Sequence, residues 1–523
     1  MSQSTPPETP ASPLREIVQP FVDLARAPRA LWGVNLGYLL EGLVYFGMLG
    51  YLAMHFSDFI FQGVANPDVH SHRMVMVLTA GITIAMFFLG FVADKFGVRR
   101  ALIWAFLFMI AGRVLISGAP GIFEPAGLWS SLHVLTMVGI LLVVVGYGMY
   151  QPAAYTAVRQ FTNPKTAGMA FAMLYALMNL GGYLPTFAFL LRDDDFAGLG
   201  ITGTYWFYTS LTVVALVATV LILSRATVAA ALARAKEETR AMRAAQAATE
   251  VPVAVDAAPP LPVTPEAPRV PGHWWGIWAV AVALAVVFLR GMAEWIVVGL
   301  LMVALAAVIT VPPVRRWVAL HPFSDLKFFY FIFALIPVQT LFAYNWLILP
   351  QYVNRSYEGW IGEYFEVAAN FNPILIFIFV PIVTALTQKR KVYNMMIVGT
   401  FVMAAPAFLL ALGTSPYLLF TYLLIMTIGE AMWQPRFLQY AAEIAPEGRT
   451  GVYMGVAQFP WFLTKVIVPM YSGWLLQTYV PQEGARSPET LWLISASIAM
   501  ASTVLLIAAR GWLGKDFKTR AEG

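Results

Sequence analysis

The chain has 523 residues, of which 59% are hydrophobic and 12% charged, and its mean hydropathy is +0.70. A water-soluble surface needs about twice that share of charge, and a disordered chain far less apolar content. The composition therefore leaves a polytopic membrane protein. No cysteine is present, which removes disulfides, thiolate nucleophiles and cysteine-held metals.

Residues 1–20 are rich in Pro, Ser and Thr and lack an apolar stretch flanked by bases, so no cleavable signal is expected. Residues 14–26 suit a short interfacial helix with Arg15, Arg26 and Arg29 at the headgroups. Fourteen apolar stretches follow, near 31–54, 74–93, 101–119, 132–158, 168–191, 203–224, 274–290, 292–312, 326–350, 369–388, 393–412, 416–440, 452–477 and 489–510. Each approaches the ~20 residues that a helix needs to span a bilayer. Only helices satisfy their backbone polar groups inside so apolar a segment. Arg290 and Glu294 lie at the turn of the 274–312 pair, which is either two spans or a re-entrant hairpin.

With the N-terminus inside, five of the 33 Lys and Arg fall outside (Arg73, Arg192, Arg290, Arg355, Arg486) and three within spans (Arg113, Arg436, Lys465). The rest line the cytoplasmic side, as the positive-inside rule requires. An even span count returns the C-terminus, with Lys515, Lys518 and Arg520, to the same side. The net charge of +5 thus belongs to membrane edges and not to a nucleic-acid surface. From 225 to 249 the chain reads as a soluble Ala/Arg/Glu helix, and from 250 to 272 as an extended Pro/Ala/Val linker. The expected organisation is a cytoplasmic segment (1–30), a six-helix bundle (31–224), a cytoplasmic linker (225–272), two additional helices (273–312), a second six-helix bundle (313–510) and a cytoplasmic tail (511–523).

The two bundles share a pattern. Gly146-Tyr-Gly-Met-Tyr-Gln-Pro152 in the fourth span returns as Gly429-Glu-Ala-Met-Trp-Gln-Pro435, and Lys165-Thr166 before Gly168 returns as Arg449-Thr450 before Gly451, both at an offset of 283 residues. Internal repeats mark secondary transporters, whose solute site lies between the repeats near the midplane. Pro152 and Pro435 free backbone carbonyls and can kink both helices alike.

Between the second and third spans runs Gly90-Phe-Val-Ala-Asp94-Lys95-Phe-Gly97-Val-Arg99-Arg100. It resembles the loop signature of the major facilitator superfamily. Gly97 permits a tight turn, and Asp94 with Arg99 and Arg100 could form a carboxylate–arginine latch that closes in one conformer and breaks in another. The second block's Gln388-Lys-Arg-Lys391 keeps only the charge.

Four further stretches resemble the proton-coupled oligopeptide transporters: Glu41-Gly-Leu-Val-Tyr-Phe-Gly47-Met48, Phe171-Ala-Met-Leu-Tyr175-Ala-Leu-Met-Asn179-Leu-Gly181, Asn372-Pro-Ile-Leu-Ile-Phe-Ile-Phe-Val-Pro381, and Gly429-Glu430 with Pro435, Leu438, Tyr440, Ala445 and Pro446. The resemblance covers roughly 30–510 and implies an all-α major facilitator fold of 6+2+6 helices in two pseudo-symmetric bundles. The extra helix pair points to a bacterial inner membrane. The chain also departs from that family. Its first-span motif E-x-x-E-R stands here as Tyr38, Glu41 and Gly42, its fourth-span lysine as Gln151, and its seventh-span acid region as Gln339, Tyr344 and Asn345. Those family bases and acids are implied in gripping peptide termini and carrying protons.

A charge at mid-membrane costs roughly 2.5–3.5 kcal/mol on insertion scales and faces a cavity or a partner. Glu41 and Glu430 sit near the middle of their spans and are the candidate proton-coupling acids. Lys465 is equally deep, and either pairs with Glu430 or lies on a different face bonded to carbonyls; Arg113 is expected to be structural, pairing with Glu41 or a helix end. Arg436 is placed to gate the inner end or to snorkel. The six histidines lie near span ends or in loops, where none makes a deep proton relay. Tyr38, Tyr45, Tyr150, Gln151, Tyr155, Asn179, Gln339, Tyr344, Asn345, Trp433 and Gln434 are the candidate solute-lining residues. Their aromatic and amide chemistry suits an amphipathic or apolar organic molecule. The expected function is proton-coupled transport of peptide-like or other small organic solutes by alternating access. The alternative is export or facilitated passage of lipophilic compounds. No metal-spaced cluster or phosphate loop supports an enzyme. No cofactor is expected. The expected partners are a small-molecule substrate, protons and the lipid bilayer, without nucleic acid, for a monomeric chain.

Overall fold

The computed structural model describes residues 27–163, 167–249, 269–288, 292–387, 390–443, 453 and 456–513. Several expectations lie outside the described residues: the 14–26 helix, Lys165-Thr166, the extended linker from 250 to 268, Arg290, Gln388-Lys389, Ala445-Pro446, Arg449-Thr450-Gly451 and the three C-terminal bases. Among the described residues there is no strand.

The first six expected spans are helical: α1 (Arg29–Met54), α2 (Pro67–Leu89), α3 (Val98–Gly118), α4 (Ser131–Phe161), α5 (Ala167–Tyr183) and α6 (Gly200–Ile222). Then come α7 (Arg225–Thr249), α8 (His273–Phe288), α9 (Met292–Thr310) and α10 (Pro312–Leu320). The remainder is α11 (Leu326–Ala334), α12 (Ile336–Leu347), α13 (Leu349–Ser356), α14 (Phe371–Thr387), α15 (Val392–Ala404), α16 (Pro416–Glu443), α17 (Phe459–Tyr479) and α18 (Pro488–Ala508). Local chemistry sets several of these ends. Ser130 caps α4 by accepting from His133 N at 3.2 Å, and Asp325 caps α11 by accepting from Lys327 N at 2.9 Å. Pro337 opens α12 and Pro350 opens α13, where their missing N–H groups interrupt what would otherwise be continuous helix.

Among the described residues ten helices are long and apolar enough to cross a membrane, or eleven if the bent α9–α10 pair is one span, against fourteen expected spans. The other four expected spans are also helical but fall short of a clean apolar run. α8 stops at the edge of the described residues, and α9 meets α10 at a 98° bend. α14 has 17 residues, and α17 carries Lys465 and an internal Pro469. α8 and α9 pack on each other, with Trp278 Nε1 donating to Leu301 O at 3.1 Å. Trp274 Nε1 donates to Ser324 Oγ at 2.8 Å, tying α8 to the start of the following block.

The helices form two sets. In the first, α3 packs on α4 and α6, α2 on α4, and α1 on α5 and α6. In the second, α16 packs on α14 and α15, and α18 on α12 and α15. The repeated glycine has the same role in both. A Cβ on Gly146 would fall 2.8 Å from Ala105 O on α3, and one on Gly429 would strike the backbone of Val402 and Met403 on α15. In each set the fourth helix of the block can approach the third only because that position carries no side chain. The sets meet along α2 with α17, α5 with α14, and α1 with α12. Outward-facing side chains such as Phe87 and Leu412 are 84% and 75% exposed, as lipid-facing residues must be.

Candidate functional site

The two mid-membrane acids have different surroundings. Glu41 on α1 is fully buried and held by Arg113 of α3 through a two-pronged ion pair, with Nη1 donating to Oε2 at 3.0 Å and Nη2 to Oε1. Tyr147 OH of α4 donates to the same Oε1. Arg113 Nη1 also donates to Thr212 Oγ1 of α6 at 2.6 Å. Of the two partners open to Arg113 from sequence, the structure has Glu41. Four helices of the first set thus meet on one neutralised pair. Protonating Glu41 would strand a buried guanidinium, at a cost of several kcal/mol.

Glu430 on α16 is also buried, at 2% exposure, yet its donor is neutral: Asn372 Nδ2 reaches Oε2 at 2.9 Å and Thr427 Oγ1 at 2.9 Å. Of the two arrangements open to Lys465, the pair with Glu430 is not formed, and among the described residues neither side chain has an ionic partner. The two lie on α16 and α17, whose principal neighbours are different helices: α16 packs on α14 and α15, α17 on α2 and α12.

Across from Glu430 stands Tyr175 of α5, close enough for the two to interact electrostatically and also within reach of Tyr155. Tyr155 and Tyr175 are 43% and 48% exposed, on helices that face the second set or support one that does. Tyr38 OH donates to Tyr155 OH at 3.4 Å, and the Tyr38 ring stacks on Tyr150 with centroids 5.7 Å apart. Tyr45 packs on Tyr147 at 5.0 Å. The exposed rings of Tyr155 on α4 and Tyr175 on α5, backed by the buried Tyr38, therefore lie on the first helix set, with Tyr175 within electrostatic reach of Glu430.

Not every expected lining residue joins these rings. Trp433 is completely buried, its Nε1 directed at Met403 Sδ at 3.1 Å, so it fills the α15–α16 contact. Tyr150 is 2% exposed and wedged edge-on against Phe106, serving as a backing for Tyr38. Tyr344 is buried with its OH 2.8 Å from Tyr471 OH, and Gln339 accepts from Thr464 Oγ1 at 3.1 Å while its Nε2 has no partner. Asn179 is used locally, donating to Tyr175 O at 2.9 Å, which steadies that ring's helix. Gln151, Asn345 and Gln434 are half-buried. Arg436 donates to Thr387 Oγ1 at 3.5 Å, joining α16 to α14.

The loop motif does not form its latch in this structure. Gly97 takes φ +85° in the turn, as only glycine readily does. Asp94 and Arg100 are exposed, with no ion pair among the described residues, while Arg99 Nε donates to Leu223 O at 2.7 Å and caps α6.

The opposite end is tightly bridged, which sequence reasoning missed. Arg355 of α13 grips Asp68 of α2 through two bonds of 2.7 and 2.9 Å, and its Nη1 also donates to Val480 O at 3.0 Å. Gln351 Nε2 donates to Asp68 Oδ1 and to Ser57 Oγ, both at 3.1 Å. His72 lies 3.1 Å from Gln351 Oε1 and 2.7 Å from Ser472 Oγ of α17. A second strut joins Tyr51 OH (2.6 Å) and Arg192 Nε (2.8 Å) to Glu366 Oε1. The only sequence signal was the presence of acids and bases at neighbouring span ends; their pairing over 287 residues has no local signature.

Several solved structures share this arrangement at low identity, which speaks to the fold alone. A peptide transporter described as POT in complex with sulfate superposes with a TM-score of 0.63 at 17% identity, over 93% of this chain and 95% of that one. The POT family transporter PepTSo gives 0.64 at 16% identity, over 94% and 99%. A POT family transporter in complex with 5-aminolevulinic acid gives 0.57 at 14%, over 93% and 97%. In sequence, the uncharacterized MFS-type transporter YttB of Bacillus subtilis (strain 168) is 27% identical over 180 residues, 33% of this chain; the match spans 44% of that relative's length. The family model of the Major Facilitator Superfamily matches residues 2–184 and 48–469. Because that match runs through both helix sets, the chain belongs to the major facilitator superfamily and is a membrane transporter.

Proposed function

We propose that the chain is a proton-coupled secondary transporter of peptide-like or similar small organic solutes, working by alternating access, with Glu430 as the coupling acid. The reading rests on one observation: Glu430 is a buried carboxylate with only a neutral donor, within electrostatic reach of Tyr175 on the other helix set. A buried charge without a counter-charge is costly. Either a proton or a cationic group on the solute removes that cost, and the exchange of one for the other is a coupling step. Glu41 does not share the role, because Arg113 already neutralises it. The two helix sets then rock as units, and 225–272 with α8 and α9 connects them. The Asp68 end faces outward and is closed, and the solute enters or leaves at the Asp94 end. Both termini lie in the cytoplasm of a bacterial inner membrane.

A structural neighbour bearing 5-aminolevulinic acid is described as a POT family transporter, and a solute with an amine and an acid suits Glu430 and Lys465 here. The test is uptake into proteoliposomes with and without an imposed pH gradient, against peptide, amino-acid-like and lipophilic panels. Glu430→Gln is expected to abolish gradient-driven accumulation and to preserve counterflow exchange, while Glu41→Gln impairs folding without selectively altering coupling. Gradient-driven accumulation at the wild-type level in Glu430→Gln would refute the assignment. The second reading, passage of lipophilic compounds, draws on the exposed rings of Tyr155 and Tyr175 together with Gly42 and Gln151 where the resembled family has bases. Flux indifferent to the gradient and confined to the lipophilic panel would favour it.

A further inference from the structure

Helix α7 is not part of the transport site, yet it is fixed against the first helix set. Ala231 and Ala235 are 2% and 7% exposed, and Val228 and Leu232 pack half-buried beside them. They seat α7 on the ends of α1 and α4. Asn163 Nδ2, two residues past the end of α4, donates to Glu238 Oε2 at 2.7 Å. Glu238 is also bonded to Arg234 Nε at 2.7 Å, so the acid on that side is already spent.

The other flank is different. Arg225, Lys236 and Arg240 are all exposed. Their spacings of eleven and four residues are close to three turns and one turn of helix, so they form one stripe. The docked alanines prevent α7 from rotating this stripe away. The stripe begins at the bilayer edge: Leu221, in the last turn of α6, is 69% exposed as a lipid-facing residue, and Arg225 follows four residues later. Lys95, Arg100 and Arg159 are exposed at the same end of the first set.

We infer that the Arg225–Lys236–Arg240 stripe is a binding surface for the anionic headgroups of the adjoining leaflet. Basic side chains this close to an anionic surface each gain appreciably from it, and the stripe is fixed in register before lipid arrives. Lipid binding clamps α7 onto α4 at Asn163, beside the connection to α5, whose Tyr175 faces Glu430.

The test is amide hydrogen exchange of α7 in the full-length protein, in nanodiscs of phosphatidylcholine alone and of phosphatidylcholine with phosphatidylglycerol. Exchange across α7 is expected to slow on the order of tenfold in the anionic discs, and 0.5 M salt should remove most of the difference, by roughly the screening expected at that ionic strength. The triple variant Arg225→Gln, Lys236→Gln, Arg240→Gln is expected to exchange alike in both discs while the transmembrane helices keep their protection. Equal wild-type exchange in the two lipids overturns the inference, and that comparison needs no variant to fold. A lipid effect that survives in the folded triple variant also overturns it. So does inorganic phosphate reproducing the protection in neutral discs, since a free anion would then suffice.

Discussion

The Asp68–Arg355 bridge makes a sharp prediction because it joins the two helix sets directly. Asp68 is 1% exposed and Arg355 8%, and the two bonds between them measure 2.7 and 2.9 Å. Asp68→Asn keeps the shape and removes the charge. It leaves the guanidinium with Val480 O and, at 4.0 Å and in a more exposed position, Asp58 Oδ1 as its remaining carboxylate. Removing one member of a buried pair typically costs about 3–5 kcal/mol. Opening of the Asp68 end lets Arg355 rehydrate, so the cost falls on the closed state. The closed-to-open ratio should drop by roughly a hundredfold to a few thousandfold, at about 1.4 kcal/mol per decade. The chain has no cysteine, so Gln62→Cys and Glu483→Cys can carry spin labels at this end without background. Pulsed dipolar spectroscopy in liposomes should show a short distance in the otherwise native protein, and a longer population dominating in Asp68→Asn. An unchanged distance distribution in a well-folded variant would show that the bridge does not hold this end shut.

Three other expectations follow from the same geometry. Arg113→Met leaves Glu41 buried without a cation and should destabilise the protein by about 3–5 kcal/mol; thermal melting in detergent reads the loss, and the double variant Glu41→Gln, Arg113→Met should recover most of it. Glu430→Gln should remove the pH dependence of solute accumulation, measured by uptake at a series of external pH values with a fixed gradient. At α7, hydrogen bonds from Arg234 and then Asn163 hold the Glu238 carboxyl below its usual range. A depressed carboxyl contributes its docking energy above the free carboxylate's ordinary value and loses it as pH falls through the lower, bound value. A spin label at Ala233→Cys should therefore stay immobile at neutral pH and gain mobility only when the pH falls below the ordinary carboxylate range.

The positions of the helices were legible because lipid imposes a length and an apolarity that few residues can evade. The repeat was legible for a similar reason: Gly146 and Gly429 must be bare for one helix to lie against another, and that demand fixes the residue. Which acid has a cationic partner was not. Glu41 and Glu430 look alike from hydropathy, and only the 72-residue reach from Glu41 to Arg113 separates them. The aromatic residues of the repeat go to packing for a related reason. Tyr150 and Trp433 share the face of the repeated glycine, so contact with the preceding helix claims both rings. Tyr175, one helix further along, is free of that contact and carries the exposure that the site needs. The Asp68 end escaped notice because its partners sit at span termini, where charge is ordinary, and nothing in sequence tells a solvated end from a bridged one.

The proposed coupling acid and the Asp68 end are also connected through a short piece of chain. Asn372, the donor to Glu430, lies six residues after Glu366, the acceptor for Tyr51 and Arg192 of the other set. Between them the short helix Glu366–Ala369 leads directly into α14. A change at Glu430 that releases or tightens Asn372 therefore pulls on the segment that carries the second strut. Coupling of this kind needs an element with two arrangements that both sites bias, and α14 with its leading turn supplies one. Asn372→Leu removes the hydrogen bond and puts an apolar side chain of similar size in its place. The Asp68-end distance in doubly labelled wild-type protein is expected to respond to pH, and in Asn372→Leu that response should vanish while the Asp68–Arg355 bridge still forms. If the distance follows pH identically in both proteins, the signal from Glu430 travels elsewhere, and the route through α14 is wrong even though Glu430 remains the coupling acid.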